Sequence, residues 1–426
     1  MGKTTLVNEF ARREYAESLL IDFSQAPPAV TDIFEHYGYD TSQLLDLLQA
    51  FYNVRLPERE TLIIFDEVQR FPRARQATKH LVEDGRFDYI TTGSLISIRK
   101  NVQDILIPSE EQKLELGPCD FEEFCSALGE DLLYQTLVEL YDQHRTIPDL
   151  LHRRGNDLWR RYLLIGGMPQ AINEYAESND LEQVHTVKQR ILDLYYSDIE
   201  KYTESTTEAS RVRAIYRHIP AELSKHEKKL VLSEIDTDAR MREYDPALYW
   251  LTDARFLNMC LNVTDPSVGL GLNLDLSSRK YYSADTGLLV SQVLEMGDMD
   301  PGELYREVLF GDVAINEGML TENVVAQQLR ANGDTLAFYS SYDDISANRM
   351  EIDFLLVRGY SDAAGKSRIS PVEVKSGQRF RTTSLDKFRK KFHSRVGTEY
   401  VVSTKPLRFD DENHRVYLPF YLTGQL

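Results

Sequence analysis

The sequence predicts an α/β chain in three parts. Residues 1–130 read as a doubly wound parallel sheet of phosphate-loop type that lacks its first strand. Residues 131–300 read as a helical and winged-helix-like middle, and 301–426 as a second α/β domain. Three observations predict this. Short apolar runs alternate with helical patterns through residue 125, the order of a parallel sheet covered on both faces. A Gly-Lys-Thr opens the first helical pattern. Near the other end, Ile352-Asp353-Phe354 and Val372-Glu373-Val374-Lys375 set acids and a lysine on two strand-like runs.

The first strands are Leu19-Leu20-Ile21-Asp22-Phe23, Leu62-Ile63-Ile64-Phe65 and Asp88-Tyr89-Ile90-Thr91-Thr92, each short, apolar and bounded by polar residues. Residues 42–52 and 74–83 supply the helices between them. In the middle, 131–142 and 181–202 read as long helices, and Gly166-Gly167-Met168-Pro169 as a sharp break between helices. Residues 205–290 mix helices with strand-like pieces at 249–263 and 279–283. The last part opens on a helix at 316–332. Strands follow at 336–339, 351–358, 370–375 and 399–403, with a helix at 384–394.

At 426 residues, two or three domains are expected, and 42% hydrophobic content suffices for buried cores. No apolar run approaches the roughly 18 residues that a membrane span needs. Cys119, Cys125 and Cys260 lack metal-ligand spacing and fit a reducing cytoplasm as space-filling residues. A net charge of -19 argues against a surface coated for nucleic acid. The sign reverses over 366–395, where Lys366, Arg368, Lys375, Arg379, Arg381, Lys387, Arg389, Lys390, Lys391 and Arg395 face only Glu373 and Asp386. That segment is either a solvated helix face or a phosphate contact.

Gly2-Lys3-Thr4-Thr5 is the second half of a G-x-x-x-x-G-K-[ST] loop. In that chemistry Gly2, Lys3, Thr4 and Thr5 bind nucleotide phosphates: Lys3 reaches the β- and γ-phosphates, and backbone N–H groups at the helix start receive oxygens. The loop's first glycine and its strand are absent, so Met1 is expected to be an internal residue of a longer ancestor, or a misplaced start. A strand ending in Asp66-Glu67 suits Mg²⁺, with Thr4 and Asp66 as metal-holding groups and Glu67 activating water. Ser94 or Thr92, ending the next strand, would orient that water.

At the C-terminal site, Glu373 and Lys375 are two apart on one strand and share a face. With Asp353 and the helix residue Glu322 they form a metal-binding set, Glu322, Asp353 and Glu373, beside a catalytic Lys375. Such a set would perform metal-assisted phosphodiester hydrolysis with Mg²⁺ or Mn²⁺. The alternative is a same-face salt bridge between Glu373 and Lys375.

Taken in order, these motifs resemble a family of bacterial and archaeal AAA-type ATPases that carry a C-terminal domain of unknown function with a restriction-endonuclease-like core. The resemblance rests on Gly2-Lys3-Thr4-Thr5-Leu6, Phe65-Asp66-Glu67-Val68-Gln69, Thr92-Gly93-Ser94, Leu116-Gly117-Pro118 with Phe121-Glu122-Glu123-Phe124, and Gly166-Gly167-Met168-Pro169. It continues with Lys280-Tyr281-Tyr282-Ser283-Ala284-Asp285-Thr286-Gly287-Leu288, Glu322, Ile352-Asp353-Phe354 and Val372-Glu373-Val374-Lys375. It implies an ASCE-type ATPase core with Glu67 as catalytic glutamate, using ATP and Mg²⁺, and a PD-(D/E)xK-like C-terminal fold carrying Asp353, Glu373 and Lys375. Arg70, Arg73 and Arg99 are arginine-finger candidates by position. The Gly-Gly-Met-Pro motif is expected to be a turn that stacks helices, and Asp285 a turn or cap residue. Three functions follow as expectations. The first is an ATPase coupled to a nuclease-like domain, possible as a homo-oligomer. The second is a Mg²⁺-dependent DNA nuclease with a regulatory or inactive ATPase module. The third is a non-enzymatic DNA- or protein-binding module. No membrane partner is expected.

Overall fold

The computed structural model describes residues 2–93, 111–203, 205–225, 230, 232–235, 240–297, 300–303, 305, 317–341, 349–359, 367–377 and 379–426. Ser94 and Arg99 lie outside the described residues. The chain forms two compact units, residues 1–116 and 117–426.

In the first unit, strands β1 (Glu17–Asp22), β2 (Thr61–Asp66) and β3 (Asp88–Thr91) form a parallel sheet in the order β1-β2-β3. Every residue of β2 is buried. Its alternating side chains serve two cores. Leu62 and Ile64 pack with Ala11 of helix α1 (Lys3–Glu14). Ile63 and Phe65 pack on the other face against α2 (Pro28–Tyr37), α3 (Thr41–Tyr52) and α4 (Pro72–Asp84). A near-continuous apolar run is what a strand covered on both faces requires. The sheet is therefore an α/β layer with helices on both sides, consistent with a P-loop-type domain.

The second unit begins with helices α5 (Phe121–Ala127), α6 (Asp131–Asp142), α7 (Asp149–Ile165), α8 (Pro169–Ser178), α9 (Leu181–Tyr202), α10 (Thr206–Leu223) and α11 (Met241–Asp253). Strands β4 (Leu257–Val263) and β5 (Leu274–Ser283) lead into α12 (Thr286–Gly297) and α13 (Glu317–Ala331). Then come β6 (Ala337–Ser341), β7 (Met350–Ile352), β8 (Phe354–Gly359), β9 (Ser367–Lys375), α14 (Thr383–Phe392), β10 (Glu399–Ser403), β11 (Arg408–Asp410) and β12 (Arg415–Pro419). One sheet runs β11-β12-β10-β9-β8 and another β5-β4-β6-β7.

Two sequence expectations are corrected. The run 249–263 is not one strand-like piece: 249–253 ends α11, Arg255 reverses the chain at φ 62°, and the strand starts at Leu257. The run 351–358 is two strands, with Asp353 at the bend between them. The helices-then-hairpin order of the winged-helix expectation is present in α10, α11, β4 and β5, but the second edge of β4 pairs with β6. The hairpin thus belongs to a four-stranded sheet.

One core spans the second unit, from Phe121 to Leu426. Trp159 of α7 stacks on Phe420 at 5.8 Å, and a Cβ at Gly155 would meet the Tyr421 ring at 2.9 Å. Residues 131–300 and 301–426 therefore share a core.

Candidate functional site

In the first unit the chain turns at Gly2, whose φ of 81° is left-handed, and enters α1. A glycine takes that conformation without the Cβ penalty. Lys3 and Thr4 are partly buried in the first turn, and Thr5 is exposed. Thr4 Oγ1 donates to Asp66 Oδ2 at 2.9 Å. Asp66 is buried at the end of β2, and its other oxygen accepts from the Thr92 hydroxyl at the end of β3. Register explains this meeting, because Phe65 stands opposite Thr91. Both oxygens of one carboxylate are thus held by hydroxyls from two elements, at a helix N-terminus where backbone N–H groups have no intrahelical partner.

Glu67 follows at φ 52°, a left-handed turn off the strand, and the Val68 N–H donates to Thr92 O. Gln69 Nε2 donates to Glu67 Oε2 at 2.7 Å. Sequence reasoning quoted Gln69 without giving it a role, since its partner is set by that turn. The structure brings Thr4, Asp66 and Thr92 into direct contact and places Glu67 beside them in the chain. Arg70 is exposed, and Arg73 lies 3.8 Å from Glu35.

In the second unit, Asp353 Oδ2 accepts the Val374 N–H at 2.7 Å, which fastens the bend to β9. Glu373 is buried, and its Oε1 pairs with Lys375 Nζ at 2.6 Å. Burial raises the Glu373 pKa above the usual carboxylate value, against the lowering effect of Lys375. Glu373 Oε2 has no hydrogen-bond partner among the described residues.

Glu322 lies elsewhere in the arrangement. It is buried on α13, where Tyr282 donates to its Oε1 at 2.5 Å and Lys280 Nζ lies 3.5 Å from the same oxygen. Lys280 Nζ also pairs with Glu351 Oε1 at 2.6 Å. Burial works against the charge of Lys280, but the carboxylates of Glu322, Glu351 and Asp353 outweigh it and raise its pKa. Lys280 and Glu351 were quoted from the sequence only as parts of longer runs, with no role of their own. A lysine two positions before a tyrosine on one strand puts Lys280 and Tyr282 on the same face, but nothing in that pattern names their partners.

Among the described residues, one group of three offers metal-ligand atoms all within 4.8 Å of one another: His218, Glu222 and Glu234. Glu322, Asp353 and Glu373 do not form such a group. Lys225 Nζ already pairs with Glu222 at 2.7 Å and with Glu234, so the two carboxylates of the His218 group already share a lysine as counter-charge.

The basic segment is largely engaged with protein partners. Arg389 pairs with Glu399 at 2.6 Å, Lys387 donates to Arg349 O, Lys391 donates to the Tyr339 hydroxyl, and Arg395 pairs with Asp265. The three cysteines are free thiols. Burial pushes Cys125 up to about 12. Among the described residues, no helix is long and apolar enough to cross a membrane.

The geometry of the first unit is that of a parallel α/β domain with a helix N-terminus facing a strand-end carboxylate. Residues 1–125 match the family model of an AAA domain, which supports an AAA-type ATPase. Residues 156–300 match a domain of unknown function, DUF8612, and 317–422 another, DUF4143. No curated protein matches the chain.

Proposed function

We propose that the N-terminal unit binds and hydrolyses ATP. The hydrogen bond from Thr4 to Asp66 carries this reading, because it sets the start of a helix against the acid that ends the central strand. The AAA-domain match over residues 1–125 supports it. The donors gathered here, a hydroxyl and carboxylates, are hard oxygen ligands and fit Mg²⁺. When bound, that ion neutralises charge on the phosphates. Lys3 and the N–H groups of Thr4 and Thr5 receive phosphate oxygens. Thr4 and Asp66 hold the ion, Thr92 fixes the rotamer of Asp66, and Glu67 takes a proton from the attacking water. Glu67→Gln should retain ATP while turnover falls by about 10²–10⁴-fold. Lys3→Ala should lose ATP binding. Unchanged turnover in Glu67→Gln would remove Glu67 from the mechanism.

A second reading is a metal-dependent DNA nuclease activity in the second unit. It is favoured by the Asp353–Val374 hydrogen bond, which sets Asp353 against β9 beside Glu373 and Lys375. Lys375→Ala should abolish Mg²⁺-dependent cleavage of plasmid DNA while leaving DNA binding intact. Equal cleavage by the variant would assign the activity to a contaminant.

A further inference from the structure

Lys280 is 1% exposed, yet it carries an ammonium into the centre of the second unit. It stands on β5 opposite Cys260 of β4. Its Nζ lies 2.6 Å from Glu351 Oε1 on β7 and 3.5 Å from Glu322 Oε1 on α13, over the face of Phe338 at 4.8 Å from the ring centre. Tyr282, two residues on and therefore on the same strand face, donates to that same Glu322 oxygen at 2.5 Å. An aromatic face and two carboxylates thus surround one cation, the arrangement a buried charge requires.

We infer that Lys280 is the resident cation of this acidic cluster and occupies the place that a divalent ion would need in order to be bound by Glu322. A Mg²⁺ or Ca²⁺ ion sits about 2.0–2.6 Å from its oxygen ligands. The ammonium nitrogen already lies 2.6 Å from Glu351, and a second cation there would meet it at close range. With Lys280 between Glu322 and Glu351 the acids do not converge as a chelate: no three of Glu322, Glu351, Asp353 and Glu373 bring ligand atoms within 4.8 Å of one another. Glu322 and Glu351 instead share the one lysine. Glu322 thereby ties α13 to β5, and a metal bound next to this cluster would be left the Asp353 and Glu373 side. The inference holds whether or not the unit cleaves DNA.

The test is a Mn²⁺ titration of the nucleotide-free full chain, followed by the electron-spin signal of free Mn²⁺. The N-terminal unit is common to every variant, so only differences count. Glu322→Gln, which keeps the side-chain shape, should bind the same number of Mn²⁺ ions as the unmodified chain with the same affinity. Lys280→Met leaves the acids without the cation that lies between them, and should bind one additional Mn²⁺ at that cluster, where the unmodified chain binds none. Adding Glu322→Gln to Lys280→Met should remove the gain. Loss of one Mn²⁺ in Glu322→Gln alone would overturn the inference, as would a folded Lys280→Met chain with no gain. If Lys280→Met does not fold, the Glu322→Gln comparison decides by itself.

Discussion

Asp285 Oδ2 accepts the backbone N–H of Gly167 at 2.6 Å, across 118 positions of sequence. Its other oxygen accepts the N–H of Leu288 at 2.8 Å and so caps α12. The Gly-Gly-Met-Pro turn and the Asp-Thr-Gly segment are therefore two halves of one clasp. Glycine is required on both sides of it. A Cβ at Gly166 would lie 2.4 Å from Asp285 Oδ1, and one at Gly287 would lie 2.1 Å from the carbonyl of Ile165. Asp285→Ala strands two buried N–H groups and should lower stability by about 2–4 kcal/mol. A shift in the urea midpoint checks this, and a shift within error would show that water replaces the carboxylate.

Gln69 holds Glu67 by an amide N–H at 2.7 Å. Gln69→Leu keeps the volume and removes the donor. If Glu67 is the base, kcat for ATP should fall roughly tenfold with KM unchanged, as for other residues that orient a reacting group. A rise in KM with kcat unchanged would instead assign Gln69 to nucleotide binding.

Lys188 is fully buried, with its Nζ donating to Leu164 O at 2.7 Å. Burial brings its pKa down to about 7, partly offset by Asp285. The folded value lies below the unfolded one, so between pH 7 and the ordinary lysine range the unfolded chain holds the extra proton. Stability from this group therefore rises with pH through that window, and its burial penalty is greatest below it. Lys188→Met should stabilise the chain relative to the parent more at pH 7 than at pH 9. Urea unfolding at both values checks the sign.

Glu399 is buried and receives Arg389 and Arg415, at 2.6 Å each. Arg415 reaches on to Asp386 at 2.7 Å, so α14, β10 and β12 meet at one carboxylate. Glu399→Gln leaves two guanidinium groups short of their counter-charge and should cost about 3–5 kcal/mol. A calorimetric scan would register it. An unchanged melting temperature would mean that Asp386 suffices for Arg415 and that solvent suffices for Arg389.

Some of this was legible in the sequence. The helices at 131–142 and 181–202 and the strand at 399–403 match the structure residue for residue, because each carries a clear period between sharp boundaries. The apolar stretch 249–263 was not divisible by pattern, since an aromatic-rich run suits a buried helix or a buried strand equally. Asp353 read as a metal-binding acid within a single strand at 351–358, and its hydrogen bond to β9 marks the bend. The shared face of Glu373 and Lys375 followed from the period of two, and the salt bridge read as its alternative is made at 2.6 Å. The partners of Lys280 come from α13 and β7, and no local pattern announces such a meeting.

Four of the buried polar residues of α13 each answer a different residue elsewhere in the unit. Glu322 meets Tyr282, Asn323 receives the Ser283 N–H, Gln327 receives the Thr286 N–H, and Gln328 receives the Phe121 N–H while donating to Tyr162. A helix moved by one turn, or taken from an unrelated chain, would leave all of these groups unanswered. Residues 117–300 and 317–426 are therefore expected to pass through evolution as a pair. Recombination that exchanged one without the other would be selected against, whatever chemistry the exchanged part performed.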